Sequence, residues 1–261
     1  MNIRTGVVMG MLAVFGSASA KDSVFFVGAH PDDSEGYAAT AFLLREKYDL
    51  HVIDLTRGEL GLGEKGLKDG TTAKKRMAEE QSACAYLGAT PHFLSEIDGF
   101  ACAGQPSVDE LVRLLRQYRP KAVFTHWPLD RHSDHVQTAA VVFHALDVVR
   151  KELQPEFYFF EVSLNQTKNW HPIYGVDVAS TINDKLTMLR KYECQNGEDG
   201  IALANQRRAA LRGRLREPSC PFAETFTTYD GKPIRGGVLE SLGSRVITFG
   251  DAPYPTALKQ E

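Results

Sequence analysis

Two short clusters hold the residue types that bind metals and move protons. One is Ala29-His30-Pro31-Asp32-Asp33-Ser34-Glu35 and the other Asp130-Arg131-His132-Ser133-Asp134-His135. Imidazole and carboxylate are borderline donors suited to zinc or another divalent transition ion. Two histidines and one carboxylate leave a position open for water, which is the catalytic arrangement; a closed structural site takes four ligands. Taken singly, each cluster has a plain reading. His-Pro-Asp is a common turn, and Asp134 suits the cap of a following helix. Their shared placement favours a metal site, because each follows an apolar, β-rich run. His51, His92, His144 and His171 lack such surroundings and read as structural or surface residues.

The elements that must position these clusters alternate along the chain. Residues 23–29 (SVFFVGA) form a near-continuous apolar run, as expected of a central parallel strand. Further strands are predicted over residues 50–55, 92–94, 121–126, 156–162 and 176–179. Helices are predicted over 38–47, 72–87, 108–118, 134–153, 182–192 and 201–215, with a β-rich closing piece. A glycine-rich loop at 57–71 reads as a mobile rim. This rhythm predicts an α/β fold, Rossmann-like, with three layers (α/β/α) and a largely parallel central sheet. In such folds ligands bind beyond the carboxyl ends of the strands. One cluster follows the strand at 23–29 and the other the strand at 121–126, so both reach the same rim.

Composition bounds the function. The 261 residues are 43% hydrophobic and 24% charged, an ordinary globular balance. The net charge is −3 without basic runs, which argues against nucleic-acid binding. Residues 1–20 (MNIRTGVVMGMLAVFGSASA) carry Arg4, an apolar stretch and an Ala-Ser-Ala end, the pattern of a cleaved signal peptide. The expectation is export to a periplasm or beyond. After that leader no apolar run reaches the roughly 20 residues a membrane span needs, and residues 21–261 read as a single domain. None of the four cysteines has C-x-x-C spacing. Cys84 reads as a core thiol, and Cys194 and Cys220, flanking one helix, are the pair expected to form a disulfide in an oxidising compartment.

The two clusters, in this order, resemble the signatures of the PIG-L/LmbE-like zinc deacetylases: AHPDD with a nearby Glu, then HxDH. Leu55-Thr56-Arg57-Gly58-Glu59, Arg76 with Glu79, Leu87-Gly88 and Tyr192-Glu193-Cys194-Gln195 are similar to further family patterns. Glu224-Thr225-Phe226 is a weaker match. The chain departs from the pattern at Ala38-Ala39, at Asp130-Arg131 and at Cys194. The resemblance implies a zinc-dependent hydrolase that removes the N-acetyl group from a GlcNAc-type sugar or oligosaccharide. It implies one Zn2+ per chain held by His30, Asp33 and His135, and Asp32 as general base. His132 would be the electrostatic or general-acid partner, held by Asp134 through a hydrogen bond.

Arg57 and Arg76 are candidates for substrate recognition, since arginine presents a planar donor fork. Trp127 follows the strand at 121–126 and could stack on a sugar ring. Two other functions fit the same residues: a metal-dependent amidase or esterase on a non-sugar acyl group, and a sugar-binding protein with a vestigial site. An intact Asp32 beside three metal donors argues against the last, because a binding module needs no base.

Overall fold

The computed structural model describes residues 21–63, 68–196, 199–216 and 218–249. The expected leader, residues 1–20, lies outside them, as do residues 64–67 of the glycine-rich loop. β1 (Ser23–Gly28) occupies the middle of an eight-stranded sheet. Its Val24 and Phe26 enter the core on one face of the sheet, and Phe25 and Val27 enter the core on the other. A strand covered on both faces needs such an unbroken apolar run.

β2 (Asp49–Asp54) and β4 (Ala122–His126) pair in parallel with β1, one on each side. β3 (Ala89–Phe93) lies beyond β2 and β5 (Glu156–Phe160) beyond β4, also parallel. The order β3-β2-β1-β4-β5 is then extended by β7 (Ala223–Thr228), β6 (Tyr174–Asp177) and β8 (Val246–Thr248), each antiparallel to its neighbour. The sheet is therefore mostly parallel, as expected, with an antiparallel edge built from the C-terminal third.

Among the described residues, five helices lie on one face: α1 (Ala38–Leu44), α2 (Thr71–Leu87), α5 (Ile182–Leu189), the single turn α6 (Glu193–Asn196) and α7 (Gly200–Leu215). α3 (Gln105–Tyr118) and α4 (Ser133–Val149) cover the other face. α5 is shorter than its sequence pattern, because the chain turns at Tyr192 to reach Ser34, hydroxyl to hydroxyl at 2.9 Å. No described helix is long and apolar enough to cross a membrane.

The Cys194–Cys220 disulfide does not form: all four cysteines are free. Cys194 sits against α2, its backbone N–H donating to Glu79, whereas Cys220 packs where its backbone N–H meets the Gly213 carbonyl. The 16 residues of α7 lie between them, a rise of about 24 Å at 1.5 Å per residue. A disulfide needs Cα atoms within roughly 7 Å.

The antiparallel edge is tied to the helical layer by a buried ion pair. Arg212 of α7 grips Glu161 with two charge-assisted hydrogen bonds of 2.7 and 2.6 Å, and the Thr225 hydroxyl donates a third at 3.0 Å. Burial alone would raise the Glu161 pKa, but Arg212 outweighs it and holds the carboxyl below its ordinary 4.5. Its stabilisation is therefore fully present above about pH 4.5 and disappears as pH falls through the lowered folded value. Urea midpoints of the wild type and Glu161→Gln should differ most near neutrality and converge on acidification below pH 4. A gap that stays constant from pH 7 to 3 would remove Glu161 from the acid response.

Candidate metal and catalytic site

Strand order reverses between β1 and β4, and their carboxyl ends open the crevice where doubly wound sheets bind ligands. Gly28 closes β1 because a Cβ there would lie 2.9 Å from the Asp33 Cβ. Asp33 folds back under the turn, its Oδ2 accepting the N–H groups of Ala29 at 2.7 Å and His30 at 2.9 Å. The same oxygen lies 2.9 Å from His126 Nε2, and Oδ1 lies 3.3 Å from His135 Nε2. Asp33 is thereby aimed inward by backbone and imidazole together.

His30 Nδ1 is 3.7 Å from Asp33, and nitrogens of His30, His132 and His135 lie within 4.8 Å of one another. Tetrahedral zinc with bonds near 2.0–2.1 Å separates its donors by about 3.3 Å. Among the described residues, three overlapping sets have the spacing for a small divalent ion: His30, His132 and His135; Asp33, His126 and His135; and His30, Asp98 and Asp134. The expected trio His30, Asp33 and His135 is buried and shares its members with these sets. Carboxylates dominate the charge around it. Burial would lower the His30 pKa, but Asp134, Asp98 and Asp33 raise it to about 9. His135 is likewise raised to about 10, chiefly by Asp33 and Asp130 against the effect of burial. The site thus attracts positive charge. His126, by contrast, is pushed down to about 4 by burial and by His135 stacked on it at 4.0 Å.

Asp32 sits beside this trio with φ 115° and ψ −14°, a left-handed conformation that few non-glycine residues adopt. Two residues of α2 hold it there. Arg76 reaches Asp32 Oδ1 at 2.9 Å and donates to the Pro31 carbonyl, while Glu80 accepts the Asp32 N–H. Burial pushes the Asp32 carboxyl up to about 7, against the downward pull of Arg76. His30, Asp32, Asp33, Arg76, His132 and His135 all line one cavity of about 470 Å³.

Other sequence expectations take a different form here. Asp134 does not hold His132 with its carboxylate, which instead accepts Gly99 N–H at 2.6 Å and lies 3.1 Å from His30 Nε2. Its backbone N–H donates to His132 Nδ1 at 3.3 Å, so His132, not Asp134, caps α4. Burial lowers the His132 pKa, followed by the neighbouring His30 and His135, which favours neutral imidazole. With Nδ1 accepting, the ring proton is on Nε2.

Arg57 and Trp127 do not line the cavity. Arg57 is bound to Glu59 at 2.9 Å, and the Trp127 indole donates to the Lys168 carbonyl at 2.9 Å with Phe159 and Trp170 on its ring. Arg76 does line it, but with its guanidinium committed to Asp32 and Pro31.

Sequence reasoning missed Asp98, His126 and Gln166. His126 carried a signal, as the last residue of a strand beside the motif. Asp98 follows the carboxyl end of β3, 3.2 Å from His30 Nε2, but β3 is short and polar with a proline inside, and it concealed the position. Nothing in the sequence marks Gln166, which lines the cavity.

Residues 25–146, which contain both clusters, match the PIG-L family model, described as GlcNAc-PI de-N-acetylase. That match takes in a little under half of the chain. The chain is 28% identical over 155 residues to the 1D-myo-inositol 2-acetamido-2-deoxy-alpha-D-glucopyranoside deacetylase of Thermobispora bispora, an alignment covering 48% of this chain and 51% of that protein. The match thus spans about half the length of that relative.

Two solved structures share the fold. The N,N'-diacetylchitobiose deacetylase of Pyrococcus horikoshii superposes with a TM-score of 0.68 at 20% identity, over 80% of this chain and 84% of that one. The 4-carboxy-2-hydroxymuconate hydratase GalB of Pseudomonas putida KT2440 gives 0.72 at 21%, over 82% and 98%. A deacetylase and a hydratase on one scaffold mean that the fold does not select the chemistry; the site must.

Proposed function

We propose that the chain is an exported, zinc-dependent N-deacetylase that hydrolyses the acetamide of a GlcNAc-type sugar. The observation that carries this reading is Asp32, a carboxylate oriented by Arg76 and Glu80 beside the donor trio, within the stretch that matches the PIG-L model. Export rests on the leader pattern of residues 1–20 alone.

His30, Asp33 and His135 would hold the ion, which when bound polarises an amide carbonyl and acidifies water. Arg76 occupies Asp32 Oδ1 and leaves Oδ2 to take a proton from the attacking water. Water oxygen bonds to the acetyl carbon, the C–N bond breaks, and Asp32 returns the proton to the departing amine nitrogen. The products are acetate and the free amino sugar. Neutral His132 presents its Nε2–H to the oxyanion that forms on the carbonyl oxygen, a contact whose removal costs about 3–4 kcal/mol in the barrier.

The test is acetate release from N-acetylglucosamine and its chitobiose by the zinc-loaded protein. Release confirms the reading. Release only from non-sugar acetamides or esters would make it a general amidase or esterase, and zinc binding with no hydrolysis at all would favour a sugar-binding protein. His135→Ala should weaken zinc affinity by more than the 10- to 100-fold typical of residues that merely support a ligand. Metal analysis after dialysis against a graded chelator measures this, and unchanged occupancy would remove His135 from the ligand set.

A further inference from the structure

Most polar side chains that line the catalytic cavity are already committed. Asp33 is held by backbone and imidazole, Arg76 by Asp32 and Pro31, and Asp98 by His30 and the Leu60 N–H. Two carboxamides in the lining, Gln166 and Gln195, are committed at one end only. Gln195 Nε2 donates to the carbonyls of Gly61 at 2.9 Å and Cys194 at 3.1 Å, so this side chain braces the rim loop and offers only its oxygen. Gln166 is the reverse case.

The Ser163 hydroxyl accepts the Gln166 backbone N–H at 3.2 Å and gives its own proton to Gln166 Oε1 at 2.9 Å. That bond fixes which end of the carboxamide is which. It leaves the Nε2 donor without a partner among the described residues, in a side chain that lines the cavity. The Gln166 carbonyl accepts the Arg131 N–H at 3.1 Å, and the adjacent Thr167 hydroxyl donates to Asp130 Oδ2 at 3.2 Å. Asp130 in turn lies 3.3 Å from His135 Nδ1. Gln166 is therefore strapped to the loop that leads into His132 and His135, and its amide is set in place relative to the metal donors. A donor positioned before the ligand arrives costs little to use. Left unmet, it makes the site reject a ligand that lacks the matching oxygen.

We infer that Gln166 is a specificity-determining residue, whose Nε2–H donates to one ring hydroxyl oxygen of the sugar and so selects for that hydroxyl. The inference rests on the deacetylase reading for placing a sugar in this cavity. Gln195 is the poorer probe of the same recognition, because its replacement would also release Gly61 and the rim loop.

The experiment titrates the methyl glycoside of N-acetylglucosamine and its 3-, 4- and 6-deoxy analogues into the zinc-loaded chain by calorimetry. An Asp32→Asn background prevents hydrolysis. One analogue should bind about tenfold more weakly than the parent, the factor that one net hydrogen bond corresponds to. Gln166→Met, which keeps the length of the side chain and removes the amide, should weaken the parent by the same factor and leave that analogue unchanged. The two losses coincide only if they delete the two ends of one bond. Equal weakening of all four sugars would mean that Gln166 merely shapes its loop, and no weakening would mean that Nε2 meets only water; either overturns the assignment. Acetate release from the parent glycoside with Asp32 intact is scored separately. Its absence beside coinciding losses overturns the deacetylase and keeps the role of Gln166; its presence without them does the reverse.

Discussion

Asp32→Asn should reduce acetate release by about 10²- to 10⁴-fold, the usual contribution of a positioned acid–base group, while zinc remains bound. A carboxamide accepts a hydrogen bond but does not take the proton of the attacking water. Asparagine is the informative replacement, because it is among the few residues that tolerate the left-handed backbone found at Asp32. The turn carrying His30 and Asp33 is therefore preserved, and Glu80 still accepts the backbone N–H of residue 32. Alanine would confound loss of the base with strain in the turn. Turnover measured with zinc content on the same samples separates chemistry from metal loss. Activity above a tenth of wild type with full zinc would sink the assignment of the base, and zinc loss would mean that Asp32 itself helps to hold the ion.

The largest stability effect should come from Glu224→Ala, at a residue that does not line the metal cavity. Glu224 on β7 is buried and receives three donors: Lys185 Nζ at 2.7 Å, Thr40 N–H at 2.7 Å and Ala39 N–H at 3.2 Å. The last two are amides of the first turn of α1, which have no partners within the helix. Lys185 is wholly buried, and burial depresses its pKa. Removing the carboxylate leaves that ammonium with only the Glu35 carbonyl and strips the α1 N-terminus of its acceptor. Breaking a buried pair in this way costs about 3–5 kcal/mol, a large part of the roughly 5–15 kcal/mol that stabilises a typical domain. Denaturant midpoints with unchanged slope should report the loss. The double replacement Glu224→Leu with Lys185→Met should recover much of it, because two apolar side chains leave no buried charge. A single-variant loss below about 1 kcal/mol would show that water reaches Lys185.

These two residues mark the range of what was legible. Asp32 could be found from its motif and its place after an apolar run. Glu224 stands in a weak match to the family pattern, but its role could not be read, because its partners Ala39, Thr40 and Lys185 come from two helices remote in sequence. Arg76 falls between the two: its type suggested a contact with substrate, and only the packing of α2 against the first turn shows it holding Asp32. Trp127 and Arg57 show the same limit, since neither exposure nor hydrogen-bond commitment can be read from position after a strand.

The sequence alone determined the β1 run, the strand–helix alternation, and the presence of His30, Asp32, Asp33, His132 and His135 at two strand ends. It could do so because apolar periodicity and the residues that follow a strand are local properties. The tertiary structure alone decided that Asp98 and His126 join the site, that Asp134 faces His30, and that Cys194 and Cys220 stand apart. It also decided that the last three strands close the sheet in antiparallel fashion. Each of these depends on which atoms are brought within bonding distance across long loops, and that distance is set by the packing of whole elements around the core.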